Sequence, residues 1–524
     1  MTGAGTLDIG IFIAYFIFVL FIGFSVGRKK KKSASDYFIA SGRLKWYVIG
    51  FGIIATSIST EQLVASCGAA YKWGMPVLNW EMSNIVAIFI VMIILLPVYL
   101  NKKIVTIPHY LELRFGSSPR ILYALITIFT IVFIYLAGVG YTGGFVLEQI
   151  FGIDKIYGIW LIVIIAGSFT IYGGLISVVW AQLFQGILLL IGGFLISGLG
   201  IAHIDGGLST IIGTGERSHL IQPMSHPELP WTSIVILTLH VNIWYWGTNQ
   251  QLIQSGLGAK SRWHGMMGVL FSGFLITAAV MAIEFPGLVA HALEPNLENT
   301  DLAYVYAAKI LIPTGLKGLV FAGLVGAIMS TIQGLAQAAS TVFSLELYGK
   351  AKKGISDAKL IRVGKICSAI ILIFGALWAP MVGNWPNIFE FFTKCVFLIS
   401  APIASIFIWG ILWKGTTKTA VNWTLILSFL FFVIPYITRT LEVKHGIHIN
   451  EYNLAGILFV GSMLFTYLVS IFTKKPADEQ IEGLVWEKSM IKLSAKDNRP
   501  IYRNIWFWSV LFLAIMIFIY AIYW

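Results

Sequence analysis

Ala55-Thr56-Ser57-Ile58-Ser59-Thr60-Glu61-Gln62 interrupts an otherwise apolar run over residues 45–70. A helix that crosses a bilayer needs about 20 mostly apolar residues, and the run is long enough. A carboxylate inside such a span is costly and marks function by default, so Glu61 is a first site candidate. A helix that unwinds within the membrane frees backbone carbonyls, and these are hard oxygen ligands suited to a small cation. No Pro or Gly marks a break here, and periodicity alone does not find one. Hydroxyl side chains in membrane helices also bond back to their own carbonyls.

The rest of the chain agrees with a membrane setting. Of 524 residues 57% are hydrophobic and 11% charged, against about 25% charged in soluble domains. The mean hydropathy is +0.83. Cys67, Cys367 and Cys395 are widely spaced in apolar segments, which indicates neither a disulfide framework nor a zinc site. The net charge of +12 falls mostly in short loops. The positive-inside rule accounts for it, and no nucleic-acid partner is implied.

Fourteen segments qualify as spans, making an all-α polytopic membrane protein. The first is Leu7–Gly27, and Arg28 and Lys29–Lys32 follow it directly. The others cover 45–70, 76–100, 119–150, 155–173, 176–203, 231–255, 264–293, 314–347, 358–383, 385–412, 416–440, 451–473 and 503–524. Alternate loops carry Lys102–Lys103, a tight turn at Gly174, Lys260–Arg262, Lys350–Lys353, Lys414–Lys418 and Lys474–Lys475; all but the glycine turn are basic. The opposite loops 204–230 and 294–313 carry Asp205, Glu216, Glu228, Glu294, Glu298 and Asp301. The bias places both termini outside the cell. The expected location is the plasma membrane, or the inner membrane in a Gram-negative cell.

Residues 45–203 and 231–412 each hold five spans and each open with a polar-interrupted one. In the second block the interruption is Asn242, Thr248, Asn249, Gln250 and Gln251. Paired interrupted helices point to an inverted-repeat secondary transporter. An odd span count inserts the two blocks with opposite orientation. Residues 1–44 then form an extra helix with its basic loop. Residues 413–524 add C-terminal helices and a cytoplasmic loop at 474–502. Further candidates are Glu81, well inside span 76–100, and the run Gly326–Thr331. There Ala327, Ser330 and Thr331 share one helix face. Small residues at this spacing also serve as a plain packing face.

The stretches ISTEQ (58–62), TIPHYLELRF (106–115), YGGLISVVW (172–180), WYWGTNQQLIQ (244–254) and LWKGTT (412–417) resemble the sodium/solute symporter family. The likeness is closest to its sodium/glucose (sodium/galactose) cotransporters and covers residues 7 to 473. The resemblance implies a leucine-transporter-like five-plus-five inverted-repeat core, with sodium as the coupling ion and a small solute as cargo. It implies a sodium site of the Ala55 and Ile58 carbonyls with Ala327, Ser330 and Thr331. It places solute contacts on Gln62, Glu81, Asn84, Asn242 and Thr393. Tyr245 would be the inner gate, and Trp80 and Phe389 the outer-gate aromatics. A carboxylate with two amides suits the vicinal hydroxyls of a sugar or polyol.

The chain departs from that pattern in several places. Ile276 stands where the family has a sugar-contacting lysine, Thr393 where it has a glutamine, and Ser66 where it has an outer-gate methionine. A deoxy sugar, an inositol or a different sugar pose fits these changes. Lys394 could face the pocket, pair with Glu390 or snorkel outwards; facing the pocket, it would suit a sugar acid. Gln182 replaces the aspartate of relatives with a second sodium site, so one sodium per solute is expected. Other members carry monocarboxylates, vitamins or anions, which Glu81 would repel. A transporter-fold sensor would need an output domain, and an enzyme a nucleophile–base pair or metal cluster. Neither is evident in the sequence.

Overall fold

The computed structural model describes residues 5–27, 37–38, 42–58, 62–226, 228–352, 354–385, 387–431, 433–446, 450–493 and 500–524. The basic cluster 28–32, Ser59, Thr60, Glu61 and Lys353 lie outside the described residues. Among the described residues the chain is helical, with one isolated bridge between Leu44 and Ala259. Ten helices are long and apolar enough to cross a membrane, and a bent pair makes eleven. They include Met75–Asn101, Ser117–Phe151, Arg262–Leu293, Leu316–Ala351 and Ile388–Leu412.

Three expected spans take other forms. Segment 416–440 divides into Lys418–Phe431 and Ile434–His445. Pro435 sits in the first turn of the second piece, where a missing N–H and a fixed φ favour a helix start over a continuation. Segment 231–255 is a series of short helices that breaks at Thr248–Asn249 and resumes as Gln250–Leu257. Segment 45–70 is the bent pair, Trp46–Ser57 and Gln62–Trp73, with an angle of 65° between them. The turn at Gly174 is present. Its φ of 63° lies in the region that glycine alone enters freely, and a Cβ there would meet the Tyr37 carbonyl at 2.8 Å.

Leu316–Thr341 is the central element, buried along nearly its whole length. Small residues let its neighbours approach. At Gly334 a Cβ would sit 2.8 Å from the Thr56 methyl and 3.2 Å from the Gln182 amide. Ile505–Ile522, by contrast, buries only 22% of its apolar window, so its rim faces lipid. Loops gather in two groups. In one, Asp8 accepts hydrogen bonds from the Gly315 and Gly318 amides, Tyr71 donates to the Glu294 carbonyl, and Leu220 N–H donates to Tyr523. In the other, Lys260 N–H donates to Leu44, Lys350 pairs with Glu112, and Arg262 donates to the Met490 carbonyl.

Candidate functional site

The two helix breaks meet Leu316–Thr341 at the middle of the core. Trp46–Ser57 ends in Ile58, which is extended (φ −80°, ψ 104°), so the carbonyls just before the break lose their helical donors. The Ser330 hydroxyl donates to the Ala55 carbonyl at 2.5 Å and also contacts the Ala327 carbonyl at 2.7 Å. The Thr331 hydroxyl reaches the Thr56 carbonyl at 3.5 Å and the Ala327 carbonyl at 3.2 Å. Five oxygens therefore converge from two helices, all buried. Ala55, Ala327, Ser330 and Thr331 come together as the sequence suggests, and the Thr56 carbonyl joins them. Ile58 ends the helix, its N–H bonded to the Ile54 carbonyl. No hydrogen bond among the described residues joins its carbonyl to this group.

Two amides frame the junction. Gln251, from the second break, donates to the Thr56 carbonyl at 3.1 Å. Gln182 donates to the Ser330 carbonyl at 2.9 Å. The donor set of carbonyls and hydroxyls is the kind a hard alkali cation takes.

Beyond the first break lies a cavity lined by Gln62, Trp80, Glu81, Asn84, Asn242 and Tyr245, with Tyr135, Val241, Phe392 and Val396 closing it. Glu81 is 2% exposed and accepts from the Gln62 amide at 2.8 Å and the Asn84 amide at 2.9 Å. Asn84 in turn accepts from the Trp246 indole at 2.8 Å, and Asn242 donates to the Ser83 hydroxyl at 2.9 Å. These bonds tie the second half of the bent pair, Met75–Asn101 and the 231–247 helices around one carboxylate. The Tyr245 hydroxyl donates to the Ser57 carbonyl at 3.4 Å, which links the cavity wall to the ion junction.

Phe389 and Thr393 line a second cavity on the side of the 204–230 loop, with Lys72, Glu228, Glu390 and Lys394. Trp80 separates the two, its ring 5.4 Å from Phe389 and 5.6 Å from Phe397. The Thr393 hydroxyl is bonded to its own helix. Lys394 is paired with Glu390 at 2.5 Å in the outer cavity, as the second of its three sequence options proposed. Ile276 is buried. Near the mouth, burial pushes the Asp301 carboxyl up to about 6, while a hydrogen bond from the Ile388 amide acts the other way. Tyr135 and Phe392 were not foreseen, because aromatics in apolar helices carry no signal that separates cavity wall from packing.

The architecture matches solved membrane transporters of the leucine-transporter-like fold. A Na+-coupled sialic acid symporter, in a substrate-bound outward-open state, superposes with a TM-score of 0.76 at 22% identity, covering 90% of this chain and 99% of that one. MhsT in complex with L-phenylalanine gives 0.52 at 13% identity, over 80% and 100%. The sequence then narrows the class. The sodium:solute symporter family pattern matches residues 37–427. A Vibrio parahaemolyticus sodium/glucose cotransporter is 30% identical over 95% of this chain and 96% of its own. A mouse sodium/myo-inositol cotransporter 2 is 26% identical over 94% and 81%. The chain belongs to the sodium:solute symporter family. It is a membrane transporter, not an enzyme, and sodium is its coupling ion.

Proposed function

We propose that this symporter imports a sugar or polyol, one sodium per solute, by alternating access through a fourteen-span, five-plus-five inverted-repeat chain with both termini outside the plasma membrane. The observation that carries the reading is the junction of the Ala55 and Thr56 carbonyls with the Ser330 and Thr331 hydroxyls, next to a cavity that contains a carboxylate. Sodium takes these oxygens, with the Ile58 carbonyl turning in to complete the shell. The hydroxyl protons turn away when the ion enters. Holding Trp46–Ser57 to Leu316–Thr341 in this way fixes the break and hence the cavity walls. The driving force includes the membrane potential, about 2.3 kcal/mol per charge per 100 mV.

The solute sits at Gln62, Glu81, Asn84 and Asn242, beneath Trp80 and above Tyr245, with Phe389 and Thr393 at the outer entrance. Glu81 accepts two bonds already, and solute hydroxyls exchange with its amide donors. Among the described residues no lysine, arginine or histidine lines this cavity, and Lys394 is engaged by Glu390. Both facts favour a neutral polyhydroxylated solute over a sugar acid or other anion. The names of the relatives, glucose and myo-inositol cotransporters, agree with that choice. The test is uptake into proteoliposomes of labelled glucose, galactose, myo-inositol and a sugar acid, with and without an inward sodium gradient. Sodium-dependent accumulation of a neutral member supports the reading; accumulation of the acid alone overturns it.

A further inference from the structure

Glu284 stands between Arg262–Ile283 and Phe285–Leu293, where Pro286 follows in the first turn. Its side chain is 0% exposed, and its carboxylate oxygens have no partner among the described residues beyond its own backbone N–H. Glu81, the other buried carboxylate here, is held by two amide donors. The two are close enough for the charge of Glu81 to act on Glu284.

Among the described residues no cation pairs with Glu284; Lys72, His203, His291 and Lys309 stand in the last turns of the helices around it. Gln62–Trp73 brings Cys67, within electrostatic reach. Gly287 lies so close that a Cβ would meet the Cys67 carbonyl at 2.0 Å, which leaves no room for a long cation between these helices. Asn79–Met82 brings Glu81, and Asp301 and Tyr304 lie on the side of Cys67. Ser177–His203 brings the Ser197 hydroxyl, which is spent on the Met281 carbonyl. The ion pairs among the described residues use Glu112, Glu148, Glu346 and Glu390. An ionised Glu284 would therefore be a buried charge with no ion pair among the described residues, helped only by its own backbone N–H and the start of Phe285–Leu293.

We propose that Glu284 is a proton-binding site. It is a carboxylic acid that carries its proton in this arrangement. The proton comes from solvent and returns to it when Phe285–Leu293 separates from Gln62–Trp73; only the O–H bond forms and breaks. The site is separate from the sodium junction and does not depend on which solute is carried. In the sequence its only sign was a lone Glu in an apolar span.

The test is infrared spectroscopy of the full-length protein in proteoliposomes at pH 7, read as the difference between wild type and Glu284→Gln. The expected result is a protonated-carboxyl carbonyl band in wild type that is lost in Glu284→Gln and returns in Glu284→Asp. The same band should remain in Glu81→Gln, which assigns it to Glu284 and not to the neighbouring carboxyl. That arm keeps native Glu284 and stands even if Glu284→Gln fails to fold. A spectrum unchanged by Glu284→Gln, or a band lost in Glu81→Gln, overturns the proposal. The readout needs neither sodium nor solute, so its failure is distinct from a failure of the symport reading.

Discussion

The proposed ion junction and the proposed solute cavity lie on either side of one helix break, yet they are built from different materials. The junction uses backbone carbonyls of Ala55, Thr56 and Ala327 and two short hydroxyls, all on rigid buried helices. The cavity uses long side chains, Gln62, Glu81, Asn84 and Asn242, held by bonds to one another and to their neighbours. A backbone-built site depends on where the helix unwinds and tolerates side-chain change around it. A side-chain-built site changes its specificity with each substitution. On the proposed reading, the departures that the resemblance implies at Ile276 and Thr393 leave the sodium junction undisturbed.

This contrast can be broken by mutation. The largest effect is expected for Ser330→Ala with Thr331→Ala. Two lost ligand oxygens at about 1 kcal/mol each should raise the sodium concentration for half-maximal uptake about 30-fold, while the solute KM at saturating sodium changes far less. Glu81→Gln should do the converse. It removes a charged acceptor worth about 1.5–3 kcal/mol, and solute uptake should fall at least about tenfold at a nearly unchanged sodium midpoint. If either variant shifts both midpoints equally, the division between the two sites is wrong.

Smaller effects sharpen the picture. Gln182 presents an amide to the junction in place of a carboxylate, so wild-type uptake should rise with sodium with a Hill coefficient near one. A flux ratio near two sodium ions per solute would contradict that count. Asp301 supplies the smallest effect. Its carboxyl is raised to about 6 in the fold, so the stability it contributes is present below the ordinary carboxylate range and lost as pH rises through 6. Asp301→Asn should therefore melt about 1–2 °C above wild type at pH 8, and the difference should vanish near pH 4. A difference that is the same at both pH values would refute the assignment.

Much of this was legible in the sequence. Apolar length located Met75–Asn101, Ser117–Phe151 and Leu316–Ala351 to within a few residues, because bilayer thickness dictates helix length. The polar residues at 55–62 and 242–251 marked both breaks. The 65° bend was not legible, because no Pro or Gly stands there and the bend is fixed by tertiary partners such as Gln251 and Tyr245. The same holds for the Thr56 carbonyl, since backbone atoms leave no mark in a sequence. Hydropathy joins segment 416–440 into one span, whereas Pro435 starts a second helix there, because a breaker outweighs hydropathy. Glu284 stands alone among the apolar residues of its span, with no polar neighbours to mark it as a site.

The central claim is that sodium is held where Trp46–Ser57 meets Leu316–Thr341. Equilibrium binding of radioactive sodium to the purified full-length protein, without solute, tests it most directly. Wild type should bind one ion per chain, and the Ser330→Ala, Thr331→Ala double variant should bind it with a midpoint about 30-fold higher while remaining folded. A double variant that binds sodium with wild-type affinity and stoichiometry would place the ion elsewhere and refute the account.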